Sequence, residues 1–308
     1  MKTKFIGLVL VLISGISYAQ QDSQYTQYMY NTIAVNPAYA GSRESLSVFG
    51  LYRTQWVGLD GAPETFDFSV NSPIGKNLGL GVSVVSDKIG PSTENTIAVD
   101  FSYSIYVSDT YKLSFGVKAA GDWLDVDFTK LNIYNPADPR FQNNIDNRFS
   151  PNVGAGIYLH SDKGYVGFSA PYMIETKHFD KSYNTSSTTF IASEKIHYYG
   201  IAGYVFDLSP SLQFKPSVLT KIVEGAPLQL DMSANFLIYD KFTAGIAYRW
   251  DAAISTLVGF QATDSWFIGY AYDSDTTKLS NYNSGSHEIF LRYEFYIRPN
   301  RVISPRFF

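Results

Sequence analysis

Side-chain character alternates with a period of two along most of this chain. From Phe242 to Asp251 one parity reads Phe242, Ala244, Ile246, Tyr248, Trp250, and the other reads Thr243, Gly245, Ala247, Arg249, Asp251. Ile97, Val99, Phe101, Tyr103, Ile105 and Val107 alternate with Ala98, Asp100, Ser102 and Ser104. Leu228, Leu230, Met232, Ala234, Phe236 and Ile238 alternate with Gln229, Asp231, Ser233 and Asn235. A final run sets His287, Ile289, Leu291, Tyr293, Phe295 and Ile297 against Glu288, Phe290, Arg292, Glu294 and Arg298. Successive side chains of a strand point to opposite faces, so each run has one apolar and one polar or small face. No segment keeps a helical period, and beyond the N-terminus no stretch is apolar for the ~18 residues of a membrane helix.

The pattern predicts fourteen strands, at about 46–56, 64–72, 77–87, 95–107, 111–122, 150–160, 164–172, 195–207, 211–222, 227–238, 241–251, 253–262, 265–273 and 286–297. A soluble sandwich would bury the apolar faces against a second sheet. A membrane barrel would turn them to lipid. Segments of ~9–12 residues suit a tilted membrane strand better than a sandwich strand of ~5–6. Aromatic residues cluster near segment ends, as at membrane interfaces. Connections after even-numbered strands are tight and rich in turn residues, as in Ser72-Pro73-Ile74-Gly75-Lys76, Ser161-Asp162-Lys163 and Tyr239-Asp240. Those after odd-numbered strands include the long Trp123–Phe149, Met173–Glu194 and Ser274–Gly285. Short turns on one rim and long loops on the other define an outer-membrane barrel, and an even strand count puts both termini on the periplasmic side. The expected fold is an all-β, antiparallel transmembrane barrel of about fourteen strands with a periplasmic N-terminal arm.

Lys2 and Lys4, the apolar run Phe5–Ile16 and the small residues of Ser17-Tyr18-Ala19 form a secretory signal peptide, residues 1–19. Lys and Arg total 24 against 28 Asp and Glu, which argues against nucleic-acid binding by phosphate neutralisation. The absence of Cys excludes disulfides, thiol catalysis and Cys-ligated metals. A mean hydropathy of −0.09 is compatible with a membrane barrel because only half of each strand meets lipid. Several of the 23 Gly fall inside predicted strands, among them Gly79, Gly81, Gly116, Gly154, Gly156, Gly245 and Gly269. Such glycines permit bending or close backbone approach.

Little points to catalysis or cofactors. His160, His178, His197 and His287 lack metal-ligand spacing, and there is neither a GxSxG elbow nor a P-loop. Asp125 and Asp127, like Asp273 and Asp275, read as exposed acidic loop residues. His178 and His287 lie near predicted rims without a selectable Ser or Asp partner. Lys112, Lys118 and Asp122 share one face of the fifth strand, and Lys215 and Lys221 share one face of the ninth. Arg249, Asp251, Glu288, Arg292, Glu294 and Arg298 project the same way on theirs. These charges make either a salt-bridged lumen or a selective channel.

Residues before the first strand differ in character. Gln24-Tyr25-Thr26-Gln27-Tyr28-Met29-Tyr30-Asn31 precedes Val35-Asn36-Pro37-Ala38-Tyr39-Ala40-Gly41, in which Asn36-Pro37 and Ala40-Gly41 stop regular structure twice. This segment, 20–45, is expected in the lumen or periplasm as a plug or docking arm, ahead of a barrel at 46–298 and a periplasmic tail at 299–308. Tyr52-Arg53-Thr54-Gln55-Trp56-Val57-Gly58 and Gly61-Ala62-Pro63-Glu64-Thr65 follow.

These blocks, with Gly285-Ser286-His287-Glu288-Ile289 and the tail Pro305-Arg306-Phe307-Phe308, resemble the PorP/SprF family of Bacteroidetes outer-membrane proteins. One departure is Ser304, where many relatives carry Cys. The resemblance implies a non-enzymatic barrel of the type IX secretion and gliding apparatus. It also implies contacts with a periplasmic ring lipoprotein and its partners, and assistance to a large secreted protein exported or anchored through its C-terminal domain. A passive pore or small-solute transporter is the alternative. Candidate partner-binding residues are Asn36, Pro37, Tyr39, Gly41, Arg53, Gln55, Trp56, Tyr134, Arg140, Phe141, Phe307 and Phe308. Arg53 could offer its fork to a cargo carboxylate or to the barrel wall. Tyr134, Arg140 and Phe141 are suitable anchors in a surface loop.

Overall fold

The computed structural model describes residues 23–132, 144–175 and 195–295, together with the backbone of 177–178 and 192–193. The signal peptide, Tyr134, Arg140, Phe141, Arg298 and the tail with Phe307 and Phe308 lie outside the described residues, as does the side chain of His178. Fourteen strands form the barrel. They are β1 (Leu46–Thr54), β2 (Glu64–Pro73), β3 (Leu78–Ile89), β4 (Ser92–Tyr106), β5 (Lys112–Val126), β6 (Ile145–His160) and β7 (Gly164–Ala170). Next come β8, in two segments (His197–Tyr204 and Phe206–Ser209), and β9 (Leu212–Val223). The rest are β10 (Gln229–Ile238), β11 (Phe242–Arg249), β12 (Ala253–Gln261), β13 (Trp266–Asp275) and β14 (Ser286–Phe295). Each pairs antiparallel with its sequence neighbour, and β1 pairs with β14 from Leu46↔Phe295 to Thr54↔His287. The ring therefore has no open edge, the condition for holding strands in hydrocarbon.

The alternation decides which face meets lipid. Ile97, Val99, Phe101, Ile246, Val258 and Ile289 are exposed, whereas Asp100, Ser102, Thr243 and Glu288 on the opposite parity are buried. The apolar faces thus look outward and the lumen is the buried side. Tight turns close one rim. Tyr239 and Asp240, both with φ above +50°, make one of them, and such left-handed pairs match the twist of the flanking strands. The opposite rim carries the β5–β6, β7–β8 and β13–β14 loops. There β5 and β6 run beyond their predicted ends, and Leu124, Val126 and Phe128 pack with Ile145 in a small second cluster.

Two expectations need correction. Asp251 does not face the lumen; it is an exposed turn residue with φ 53° between β11 and β12. Asp273 is not an exposed loop residue. β13 continues through it, and the strand period turns its carboxylate inward, where it is 2% exposed.

Candidate functional site

The barrel is filled by its own N-terminal segment. Residues 24–45 run down the lumen from one rim to the other. Gln24 Nε2 donates to Gln229 Oε1 (3.0 Å), at the start of β10 on the long-loop rim. At the other end Arg43 pairs with Glu294 and Glu44 with Lys112, beside the tight turns. The sequence reading put both ends of the chain at the short-turn rim. Phe295 lies there, but Ser23 lies at the long-loop mouth beside Glu94, Ile174 and Lys195.

Three sets of contacts hold this segment. The first is a polar latch at the long-loop end. Thr26 N and Gln27 N donate to the two oxygens of Glu288, at 2.9 and 2.8 Å. Thr26 Oγ1 donates to Asp273 (2.7 Å to Oδ2) and accepts from Arg53 Nη1 (2.9 Å). Arg53 also pairs with Asp273 (2.8 Å) and Glu288 (3.2 Å), and all three side chains are at most 3% exposed. One guanidinium fork between two carboxylates is a strong, geometrically specific arrangement. The Arg53 fork is therefore occupied by the wall and the plug.

The second set is an aromatic packing surface. Tyr28, Met29, Tyr30 and Ile33 bury against inward-facing Phe49, Leu51, Leu257, Phe267 and Phe290. Tyr30 lies 5.1 Å from Phe290 and 5.3 Å from Phe267 between ring centroids. Burial of each such side chain stabilises by about 1.5–3 kcal/mol. An aqueous channel would not be lined this way, and the apolar interruptions of the polar parity, such as Phe290 between Glu288 and Arg292, mark the contact.

The third set is a seat made of glycines. Thr32–Val35 forms one helical turn, and Asn36 then caps a 3₁₀ turn over Pro37–Tyr39 by accepting from Ala38 N (3.0 Å). Pro37 suits the first position of such a turn because its missing N–H would be unpaired there anyway. A Cβ on Gly116 would lie 2.1 Å from Ala38 N, one on Gly79 2.1 Å from Ala40 O, and one on Gly156 2.3 Å from Asn36 Oδ1. Asn36 Nδ2 donates to Ile157 O (3.0 Å), Ser102 Oγ to Ala40 O (2.7 Å) and Ser169 Oγ to Val35 O (2.6 Å). Gly41, with φ +70°, turns the chain out of the seat and donates to Asn71 Oδ1 (3.2 Å).

The structure thus brings Asn36, Pro37, Tyr39 and Gly41 together as the seated part of the plug and puts Arg53 in its latch. Gln55 and Trp56 are half-buried in the β1–β2 loop, where Gln55 Oε1 accepts from Arg53 (3.4 Å) and Trp56 N donates to Ser286 Oγ (3.1 Å). Sequence reasoning missed Thr26, Asp273 and Glu288 as a unit. Above the plug, Asp67, Asp87, Glu94, Asp122, Lys118 and Tyr172 help line a cleft of about 1010 Å³, solvent space included, that reaches Ile174 and Lys195. Lys118 faces Asp100 across the ladder (3.4 Å), and Arg249 pairs with Asp231 (2.6 Å), so lumen charges largely neutralise one another within the wall. Lys195 at the mouth is bonded to Glu175 and Glu224 (both 3.3 Å), and these bonds raise its ammonium above the usual lysine range. His287 sits on the outer face with Nδ1 2.6 Å from the Tyr270 hydroxyl. Among the described residues no group of His, Asp and Glu is arranged to hold a metal ion.

A closed fourteen-stranded barrel with lipid-facing apolar residues and no helix fit to cross a membrane among the described residues is an outer-membrane protein. The family model described as type IX secretion system membrane protein PorP/SprF matches residues 17–293, and the chain belongs to that family. No curated protein matches it. Among solved structures it is similar to the CymD monoaromatic hydrocarbon channel, with 12% identity over 92% of this chain and 96% of that one, at a TM-score of 0.50. It is also similar to the outer membrane protein Omp33 of Acinetobacter baumannii, with 8% identity over 82% and 98% of the two chains and a TM-score of 0.48. At 12% identity the likeness to CymD shows the fold alone. Family and fold together point to a non-enzymatic protein.

Proposed function

We propose that this barrel is a docking component of the type IX apparatus that helps export or anchor a large secreted protein through that protein's C-terminal domain. The observation that carries the reading is the filled lumen. A wall latched, packed and seated against residues 24–45 supports docking over conduction. Contact with the cargo then falls on the long-loop rim, where Gln55, Trp56 and the loop residues Tyr134, Arg140 and Phe141 are the candidate anchors. Asn36, Pro37, Tyr39, Gly41 and Arg53 act on binding indirectly by holding the plug, while the short-turn rim and the tail with Phe307 and Phe308 would meet periplasmic ring components. The N-terminal plug and the barrel form one unit on this reading.

Affinity isolation from outer membranes followed by mass spectrometry tests it. Co-purification of type IX components and of a large secreted protein with a C-terminal sorting domain supports the proposal, and recovery of neither overturns it. A passive pore would instead give a large steady current in planar bilayers.

A further inference from the structure

The lipid-facing surface of the barrel is not evenly clad. Much of it carries exposed Ile, Val and Phe side chains such as Ile97, Val117 and Ile246. Across β7, β8 and β9 it dips into an apolar groove of about 1100 Å³, open space included. Directly opposed positions on neighbouring strands show the cause. Leu159 of β6 faces Val166 of β7, Val166 faces Ala202 of β8, Ala202 faces Val218 of β9, and Val218 faces Met232 of β10. Val166 and Val218 stand two strand spacings apart, about 10 Å, with a single methyl group between them. One row nearer the short turns β8 carries Tyr204, but its ring lies over Gly164, where an added Cβ would meet Tyr204 Cδ2 at 2.6 Å. The ring is thus drawn towards β7, and Pro216 of β9 lines the groove on its other side. An aromatic collar borders the groove at the short-turn end. Phe206 lies 4.8 Å from Tyr204 and 6.3 Å from Phe214 between ring centroids, and Phe214 lies 4.9 Å from Phe236.

Depth and chemistry together say what fills this groove. Asp207, exposed near the end of β8, marks the short-turn rim. At ~3.3 Å per residue and a strand tilt of ~40°, Ala202 lies roughly 13 Å below Asp207, within one leaflet of a hydrocarbon core ~30 Å thick. The short-turn rim is the periplasmic one, so the groove opens onto the leaflet made of glycerophospholipid. Lys163, in the turn between β6 and β7, stands over it. Its side chain is exposed, its Nζ bonds Asp207 Oδ2 at 2.6 Å, and the Tyr204 hydroxyl acts on the same ammonium. An ammonium carries three donors, so Asp207 and a phosphate can share it. Tyr204 has the form of an interfacial anchor, with an apolar ring below and a wet hydroxyl above. Hydrocarbon in the groove and phosphate at Lys163 are the two halves of one diacyl phospholipid.

We propose that this groove is a binding site for one glycerophospholipid of the periplasmic leaflet, with an acyl chain against Ala202 and Pro216 and its phosphate at Lys163. The site lies on the outer wall and is independent of whatever docks at the long-loop mouth. The test is native mass spectrometry of the purified full-length barrel in detergent micelles supplied with palmitoyl-oleoyl phosphatidylethanolamine. Loosely associated lipid leaves with the micelle, and a seated lipid stays. The expected result is one phospholipid retained per barrel. Ala202→Phe fills the groove with a side chain suited to the lipid face and should lower the retained fraction about tenfold. Ala244→Phe, the same change at an exposed outward position of β11, should leave retention unchanged. Oleate, which has the chain but no phosphate, should be retained less than the phospholipid. No retained phospholipid, equal retention in Ala202→Phe, equal loss in Ala244→Phe, or equal retention of oleate overturns the proposal. Should Ala202→Phe fail to fold, the unaltered protein is irradiated with the same phospholipid carrying a diazirine in one acyl chain. Attachment concentrated on β7 to β10 supports the site, and attachment spread evenly around the barrel refutes it.

Discussion

Replacing Gly116 by alanine tests the seat most directly. The added methyl would sit 2.1 Å from Ala38 N and 2.4 Å from Ala38 Cα. Non-bonded carbon contacts settle near 3.5 Å, so the Pro37–Ala38 backbone must retreat by about 1.4 Å. Four hydrogen bonds depend on its position: Ser169 to Val35 (2.6 Å), Asn36 to Ile157 (3.0 Å), Ala38 to Asn36 (3.0 Å) and Ser102 to Ala40 (2.7 Å). Each contributes roughly 1 kcal/mol net, so losing most of them weakens seating by about 3 kcal/mol. The β4–β5–β6 ladder runs through backbone groups that the methyl leaves alone, so the barrel itself persists. The chain has no native cysteine, which makes thiol labelling free of background. With Ile33→Cys as reporter, 2% exposed when seated, maleimide labelling of the folded barrel should rise about 100-fold on adding Gly116→Ala, since ~1.4 kcal/mol is tenfold in an equilibrium. Equal labelling with and without the methyl refutes the seat.

Other perturbations separate wall, latch and lipid face. Arg53→Met strands Asp273 and Glu288 in a dry site and should cost about 3–5 kcal/mol, seen as a lower unfolding midpoint, with Arg53→Lys restoring only part of it. Ile246→Arg, on the outer face of β11, should cost about 2–4 kcal/mol at mid-membrane depth and shrink the compact, heat-modifiable fraction on gels. Deleting residues 24–40 should turn a silent barrel into a steadily conducting one in planar bilayers, measured on the fraction that runs compact; continued silence would show that something else closes the lumen.

Much of the wall was legible because its information is local. A period of two in runs such as Ile97–Val107 sets which side chains share a face, and turn residues at Ser161-Asp162-Lys163 or Tyr239-Asp240 set where the chain reverses. Strand ends were less legible, and Asp273 shows why: it closes the predicted strand at the edge of a loop, whereas β13 runs two residues further, to Asp275, and keeps its carboxylate in the lumen. The plug was legible as a departure from the pattern but not as a set of contacts. Thr26 meets Glu288 across 262 positions of sequence, and no local rule pairs them. Interior glycines were an ambiguous signal, since Gly116 could equally have marked a bend. Once the Asn36–Gly41 backbone is seen against β3, β5 and β6, it marks a place where a second chain segment touches the wall.

The plug leads directly into β1, and β1 is also the strand that meets β14 at the final seam. The first stave of the hoop is therefore tethered to what the hoop encloses. A polypeptide arranged in this order can wind its wall about its own leading end, with no need to pass that end through a finished ring. Residues 24–40 would then serve as a mandrel during assembly as well as a stopper afterwards.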